Sequence, residues 1–391
     1  MKEVKKIGNV VFKLWVDSAT LDEGAISQIK DIAKLPFVKS PVNIMADAHG
    51  GYGVPIGTIL KTKGCVIPSA IGNDIGCGMT CFILNISPDK VDWEDTMSTI
   101  EETIDLIQWQ KDSVLFSNQD YAYTGLNLGV NTTMDGEHIK VADRLQKKSN
   151  EHFETIGGGN HFIEAGETDD GRVYVMVHSG SRGLGSIVAD EYGAFACDIN
   201  DALMSSNNNR DLPHIPVSGV KVLSDVGLEY LHWVDKLTIW ANSNRGFIID
   251  TIINRVFGDV DSSDIASVNC THNFATYDKE TDTVTHYKGA NKTTSPVIIA
   301  GSCGTKSYIV QHKHNKHGIF CSHGAGRVMS RTQAKAAFTQ EEANKTTSHV
   351  IQSSNSIDES PLAYKDIDAV MELQDDLVTK LITLYPKVSI K

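Results

Sequence analysis

The sequence predicts an α+β fold: a single large domain of mixed β-sheets with surrounding helices, spanning residues 1–391. Three observations lead there. Stretches with helical and strand periodicity alternate, but without regular strand–helix–strand units, which argues against a doubly wound parallel sheet. Glycine-rich motifs are spread from residue 47 to residue 327, as expected where many loops converge on one site. The polar stretches 205–216 and 353–360 read as surface loops, and neither is long enough to link separate domains.

The elements follow in order. Thr20-Leu-Asp-Glu23 has the spacing of a capping box and predicts a helix with Ile26, Ile29, Ile32 and Ala33 on one face. The run 41–46 reads as a strand entering the glycine-rich loop 47–57, and 80–86 reads as another strand. Residues 91–109 have helical spacing, and their acids from Asp92 to Asp105 predict a solvent-facing surface. A short apolar strand at 172–177 ends at His178. The segment 226–257 reads as two helices broken near Asn242-Ser-Asn-Arg-Gly246. Strands at 297–300 and 307–311 flank a Gly-Ser-Cys-Gly turn, and 366–383 predicts a terminal helix. His312, His314 and His317, interleaved with Lys313 and Lys316, read as a solvated hairpin or loop. The chain has no internal repeat and no low-complexity tract.

Composition narrows the function. At 41% hydrophobic, 391 residues can bury a large core. A net charge of −13 excludes a general coater of nucleic acid, because phosphate contacts need Lys and Arg. Any nucleic-acid role must be local, and bound metal ions could supply positive charge there. No run approaches the ~18 apolar residues of a membrane span, and the first residues lack an apolar signal core. The expectation is a soluble, cytoplasmic protein with no membrane partner, and the length favours a monomer. Seven cysteines at irregular spacing predict buried thiols and a metal ligand rather than a disulfide framework.

Five segments place a possible metal ligand or nucleophile beside small residues at an element end: Gly72-Asn-Asp-Ile-Gly-Cys-Gly78, Gly157-Gly-Gly-Asn-His161, Val177-His-Ser-Gly-Ser-Arg-Gly183, Thr271-His-Asn273 and Ser322-His-Gly-Ala-Gly-Arg327. Glycine there permits tight turns and lets a bulky ligand reach backbone N–H groups, as phosphate binding requires. Asp74 and Cys77 are three apart, so a tight turn can aim both at one point. With His161, His178 and His272 they make a mixed oxygen, sulfur and nitrogen set. Five ligands exceed one tetrahedral zinc. Two metals sharing a bridging thiolate is one reading; single core histidines and plain glycine turns is the other.

At these residues the sequence resembles the RtcB RNA ligase family. The motifs that carry the resemblance run through nearly the whole chain: Asp47-Ala-His-Gly-Gly-Tyr-Gly-Val-Pro-Ile-Gly57, Asp74-Ile-Gly-Cys-Gly-Met79, Gly157-Gly-Gly-Asn-His-Phe-Ile-Glu164, His178-Ser-Gly-Ser-Arg-Gly183, His272-Asn273, Gly301-Ser-Cys-Gly-Thr305, Ser322-His-Gly-Ala-Gly-Arg-Val-Met-Ser-Arg331 and Ala363-Tyr-Lys-Asp-Ile-Asp368.

The resemblance implies an RtcB-like fold and a ligase that joins RNA 3′-phosphate or 2′,3′-cyclic phosphate ends to 5′-hydroxyl ends, in RNA repair or tRNA splicing. It implies GTP as cosubstrate and two manganese ions. Asp74 and His161 would hold one metal, His178 and His272 the other, and Cys77 would bridge. His323 would be the nucleophile that takes GMP. Asn160, Glu164, Asn273, the turn Ala300, Gly301, Ser302 and Cys303, then Ser307, Gly324, Ala325, Gly326 and Lys391 would surround the nucleotide, with Tyr364 packing on guanine. Asp47 and His49 would orient a ligand histidine or touch the RNA end, unless they form a mere polar turn. Arg182 and Arg327 suit bidentate phosphate contacts or core ion pairs. An activating protein is left open, and a metal-dependent RNA-end phosphoesterase and a non-catalytic RNA-end binder stand as alternatives. The family commonly has Pro-Gly-Ser-Met-Gly where this chain has Ala300-Gly-Ser-Cys-Gly304, and valine where Asn73 stands. It often ends Val-Lys-Gly, against Val388-Ser-Ile-Lys391 here.

Overall fold

The computed structural model describes residues 1–112, 137–203, 212–353 and 356–391. Two sheets dominate. The first has six strands in the order Glu3–Ile7, Val10–Leu14, Val38–His49, Ile56–Lys63, Thr283–Lys288, Asn273–Asp278. The second runs Ile265–Thr271, Gly78–Leu84, Val173–Ser179, Phe162–Thr168, Val378–Ile390, Ser307–His312, Val297–Ile299, with Ile351–Gln352 paired in parallel to Val378–Ile390. Most pairings are antiparallel, so the α+β class follows the sequence reading.

Side-chain alternation stacks the sheets face to face. Met45, Ile59 and Tyr287 from the first meet Met79, Cys81, Tyr174, Met176 and Leu384 from the second in one buried cluster. The intervening residues Val173, Val175 and Val177 turn the other way, onto Met97 and Ile100 of the helix Trp93–Asp112 and Ile248, Ile249 and Ile252 of the helix Lys221–Val256. The first sheet's outer face is covered by Ala25, Ile29 and Ile32 of the helix Glu23–Ile32. The layers are therefore helix, sheet, sheet, helix. A period of two fixes which residues face the inter-sheet layer, and that layer leads to the site.

Several local expectations change. The first helix is capped by Asp22, whose carboxylate accepts from Ala25 N at 2.9 Å, while Thr20 ends a separate 3₁₀ turn. Asp22 also accepts from Gly50 N at 2.7 Å, a tertiary bond that local spacing does not show. The strand read at 41–46 extends over Val38–His49, so Asp47 and His49 lie on it rather than in the following loop. The segment 366–383 is helical only over Ile367–Leu373; Val378–Ile390 is a strand within the second sheet, with Leu384 and Val388 fully buried. Part of the stretch 353–360 is not a surface loop either, because Asp358, Glu359 and Ser360 are buried. The loop 205–216 lies mostly outside the described residues; its described end carries buried Leu212 and the strand Ile215–Pro216.

The break expected near Asn242 is absent: Lys221–Val256 is one helix. Of the polar residues there, Ser243 is exposed, but Asn244 and Arg245 point inward and are bonded. Asn244 donates to Thr155 O at 3.0 Å, and Arg245, wholly buried, donates to Ser179 O at 2.7 Å and Gly76 O at 3.1 Å. Removing that guanidinium strands buried carbonyls. Arg245→Met is expected to lower stability by about 3 kcal/mol in urea unfolding; an unchanged midpoint would show that these bonds hold nothing.

The acids Asp92, Glu94, Asp95, Glu101, Glu102 and Asp105 are all exposed, as expected. Lys313, His314 and Lys316 are exposed as well, but of the histidines read with them as a solvated loop His312 ends the strand Ser307–His312 and His317 is half-buried against Trp15. Among the described residues no helix is long and apolar enough to cross a membrane. All seven cysteines are free thiols, five of them buried.

Candidate active site

Along the second sheet the inward-facing series run Met79 and Cys81, Tyr174 and Met176, Phe162 and Glu164, and Cys270. Continued toward one edge they reach Cys77, His178 and His272. The apolar layer thus ends in donor atoms. The sulfur of Cys77 lies 3.3 Å from His178 Nε2 and 3.6 Å from His161 Nε2, and His161 Nε2 is 2.9 Å from Asp74 Oδ2. Two triangles share the sulfur: Cys77, His178 and His272, and Asp74, Cys77 and His161. In each, the donor atoms lie within 4.8 Å of one another.

Backbone and side chains around the triangles hold them. A Cβ at Gly180 would come within 1.9 Å of Asp74 Oδ1, so this carboxylate fits only over bare backbone. His178 donates its Nδ1 proton to Asn160 O at 3.0 Å, which turns Nε2 toward the sulfur. Arg245 ties the loop carrying Cys77 to the end of the His178 strand.

Electrostatics suit a cation. Burial pushes the Cys77 thiol well up, helped by the Asp74 charge, and pushes His178 and His272 well down, leaving them neutral. Burial also works to raise Asp74, but the His161 hydrogen bond and charge hold it below the usual carboxylate range. His272 Nδ1 is buried with no hydrogen-bond partner among the described residues. Two neutral imidazoles, a carboxylate and a thiol that needs a counter-charge to ionise match what a divalent cation takes.

His323 follows the strand Phe320–Ser322, and its ring centroid lies 4.7 Å from that of His272. Asp47, at the inner end of Val38–His49, grips it. One carboxylate oxygen accepts from His323 Nδ1 at 2.7 Å, from its backbone N at 3.0 Å and from Gly324 N at 3.3 Å. Burial favours the protonated acid, but the His323 charge and hydrogen bond, with Lys365 and His49 behind, hold Asp47 below the ordinary carboxylate range. An ionised Asp47 can only accept, so Nδ1 is the protonated nitrogen in this bond, and in the neutral imidazole the lone pair sits on Nε2. Gly326 makes the fit possible: at φ +72° it packs where a Cβ would sit 2.1 Å from Asp47 O. His49 Nδ1 donates to the same Asp47 O at 2.9 Å, and burial pushes this imidazole down to about 4.

His323 separates two clefts. The first, about 320 Å³, is lined by Asn160, Glu164, Ala300, Gly301, Ser302, Cys303, Gly324, Ala325, Gly326, Tyr364 and Lys391, together with His49 and Arg327. Burial pushes Glu164 up to about 7, although Tyr174 OH donates to it at 2.7 Å. Two residues expected around a nucleotide do not line this first cleft. Ser307 is behind the wall, where its hydroxyl accepts from Gly301 N at 3.0 Å. Asn273 lies on the other side of His323, donating to Asp74 O at 3.2 Å and accepting from Gly289 N at 2.8 Å.

Arg327 lines the cleft with its fork already engaged. It donates to Met329 O, Asp358 O, Tyr364 OH and Glu359, because the buried acids Asp358 and Glu359 draw it in. Lys391 Nζ reaches Glu359 at 3.1 Å, and Arg331 pairs with both acids. Arg182 Nη1 lies 3.5 Å from His161 Nδ1, and its Nε donates to Thr155 Oγ1 at 3.3 Å.

The second cleft, about 330 Å³, is lined by His323, His272, Asp74, Cys77, Asn160 and Asn273 with Tyr52, Ile56 and Lys288. Sequence reasoning missed Lys288. It ends the strand Thr283–Lys288, and its Nζ donates to Ser69 O at 2.9 Å and to Tyr52 O. Burial pushes it down to about 7. The available signal was a lysine closing an alternating run immediately before Gly289. Asp358 and Glu359 were missed too, having been read as part of a polar loop; an adjacent acid pair just before Ser360-Pro361 was the only hint.

Comparison with known proteins identifies the family. The family model described as tRNA-splicing ligase RtcB matches residues 28–391. The RNA-splicing ligase RtcB of Escherichia coli K12 is 31% identical, over 98% of this chain and 98% of its own. The tRNA-splicing ligase RtcB of Pyrobaculum aerophilum is 26% identical over 94% of this chain and 92% of its own, and the RNA-splicing ligase RtcB of Mycobacterium tuberculosis is 26% identical over 92% and 98%. Through a match that covers all five donors, His323 and both clefts, the chain belongs to the RtcB family.

Proposed function

We propose that this chain is a GTP-dependent RNA ligase that joins 3′-phosphate or 2′,3′-cyclic phosphate ends to 5′-hydroxyl ends, in tRNA splicing or RNA repair. The observation that carries the reading is the His323 ring, oriented by Asp47 between two clefts and beside the double donor cluster. Two manganese ions, one held by Asp74 and His161 and one by His178 and His272 with Cys77 shared, would neutralise phosphate charge and orient the displacements.

The chain's own groups do the rest. Asp47 keeps Nδ1 protonated, so Nε2 attacks the α-phosphorus of GTP; the P–N bond forms, the α–β P–O bond breaks and pyrophosphate leaves. The Gly324-Ala-Gly326 run lets GMP lie against backbone, and Glu164, Tyr364 and Lys391 line the space for the base. An oxygen of the RNA 3′-phosphate then attacks the same phosphorus. The P–N bond breaks and an RNA end carrying a pyrophosphate-linked guanosine is released from His323. Finally the 5′-hydroxyl attacks the RNA phosphorus, loses its proton and expels GMP. A cyclic phosphate is first opened by water.

The test is product analysis with RNA strands of defined ends and manganese, with and without GTP. Joined strands that require GTP support the ligase. Hydrolysed ends formed equally with or without GTP would establish the phosphoesterase instead.

A further inference from the structure

The ring of Tyr52 is 78% exposed, the most exposed of the large apolar side chains among the described residues. Its backbone is fixed. Gly50 N donates to Asp22 at 2.7 Å and Gly51 N to Gln28 at 3.3 Å; Lys288 Nζ holds the Tyr52 carbonyl, which also accepts from Val54 N at 3.0 Å; and Val54 is fully buried. A loop anchored on both sides thus presents an aromatic face to solvent, and does so on the rim of the second cleft, which contains His323 and Cys77.

Charge sharpens the meaning. The chain carries −13, and among the described residues Lys288 is the only lysine or arginine lining this cleft, its Nζ already committed to two carbonyls. Side-chain phosphate contacts here are scarce, apart from what metals on Asp74, Cys77 and His272 would supply to the reacting phosphate. A single-stranded RNA end is held by phosphate contacts, by stacking of bases on aromatic rings, or by both. The cleft offers little of the first and one preset ring for the second.

We infer that Tyr52 is the stacking platform for the unpaired terminal base of an RNA end whose reacting group enters the second cleft. The inference rests on the ligase reading for the identity of the strand. Every base has a π-face, so the platform confers affinity with little sequence preference. Among the described residues lining the cleft there is no guanidinium, and its amides, Asn73, Asn160 and Asn273, each adjoin a proposed metal ligand in sequence.

The experiment uses the full chain and RNA strands whose terminal base is 2-aminopurine, one arm ending in a 3′-phosphate and the other in a 5′-hydroxyl. Binding is read as fluorescence quenching, and joining as KM and kcat. Tyr52→Ala, Tyr52→Leu and Tyr52→Phe are compared; the side chain is exposed, so none should disturb folding. In one arm the parent and Tyr52→Phe quench. Tyr52→Ala and Tyr52→Leu lose the quench and bind about tenfold more weakly, with KM raised more than kcat is lowered. The responding arm identifies the end that stacks. Equal quenching and affinity in Tyr52→Ala in both arms would overturn the inference, and so would a parent that joins ends yet quenches in neither arm. Failure of the ligase reading is seen separately, as a parent that takes no label from GTP.

Discussion

His323→Ala is expected to take up no label from α-labelled GTP in the presence of manganese, where the parent forms an adduct stable to base and labile to acid, as a phosphoramidate is. The expectation follows from which nitrogen is free. Asp47 accepts from Nδ1 at 2.7 Å, so the lone pair is on Nε2. Two other imidazoles line the first cleft, where the nucleotide is proposed to sit. His178 turns Nε2 to the Cys77 sulfur, which leaves His49 as the one competitor. An adduct that persists in His323→Ala and disappears on further change of His49 would move the nucleophile to His49. Asp47→Asn gives the finer test. The amide keeps the shape, and its oxygen stays on the backbone N–H groups of His323 and Gly324, so it still accepts from Nδ1 but carries no charge to stabilise the cationic imidazole formed as Nε2 attacks. Adduct formation is expected to fall by about 10²- to 10⁴-fold, and a change under threefold would mean that the carboxylate charge does not assist the attack.

Much of this site was legible because its chemistry sits at element ends flanked by glycine. Cys77, His161, His178 and His272 stand out in sequence for that reason, and the sheet register brings them together. His178 pairs across from Met79 and from Phe162, and Thr271, one residue before His272, pairs with Gly78. What the sequence concealed was decided by distant partners. Asn242, Asn244 and Arg245 look like a helix break because polar residues with a glycine usually face water; here they face an interior supplied with carbonyls from residues 76, 155 and 179. Val378–Ile390 was hidden behind the helix Ile367–Leu373, and only pairing with Phe162–Thr168 and Ser307–His312 makes it a strand. Asp358 and Glu359 read as solvated until Arg327, Arg331 and Lys391 are seen around them. Ser307 was close in sequence to the nucleotide turn but supports it from behind.

Removing the shared sulfur should cost more metal than removing any ligand of one triangle. Cys77 belongs to both groups, while Asp74 and His161 serve one and His178 and His272 the other. Cys77→Ala is expected to bind neither manganese ion at concentrations that fill the parent, a loss of at least ~100-fold in affinity, since even partners of ligands are worth ~10–100-fold. Asp74→Ala is expected to keep one ion. Equilibrium dialysis with elemental analysis counts them, and one ion retained by Cys77→Ala would show that the thiolate is not shared. Stability gives an independent readout. Without metal, Cys77→Ala removes a buried thiol next to a carboxylate and should leave the unfolding midpoint close to the parent's. With manganese at about 100 times its Kd the parent gains ~2.7 kcal/mol per site by linkage, and the variant gains almost nothing. The two unfolding curves therefore separate only when metal is added. A gap already present without metal would assign Cys77 to packing, and a parent that does not respond to manganese would leave the cluster with no cation to hold.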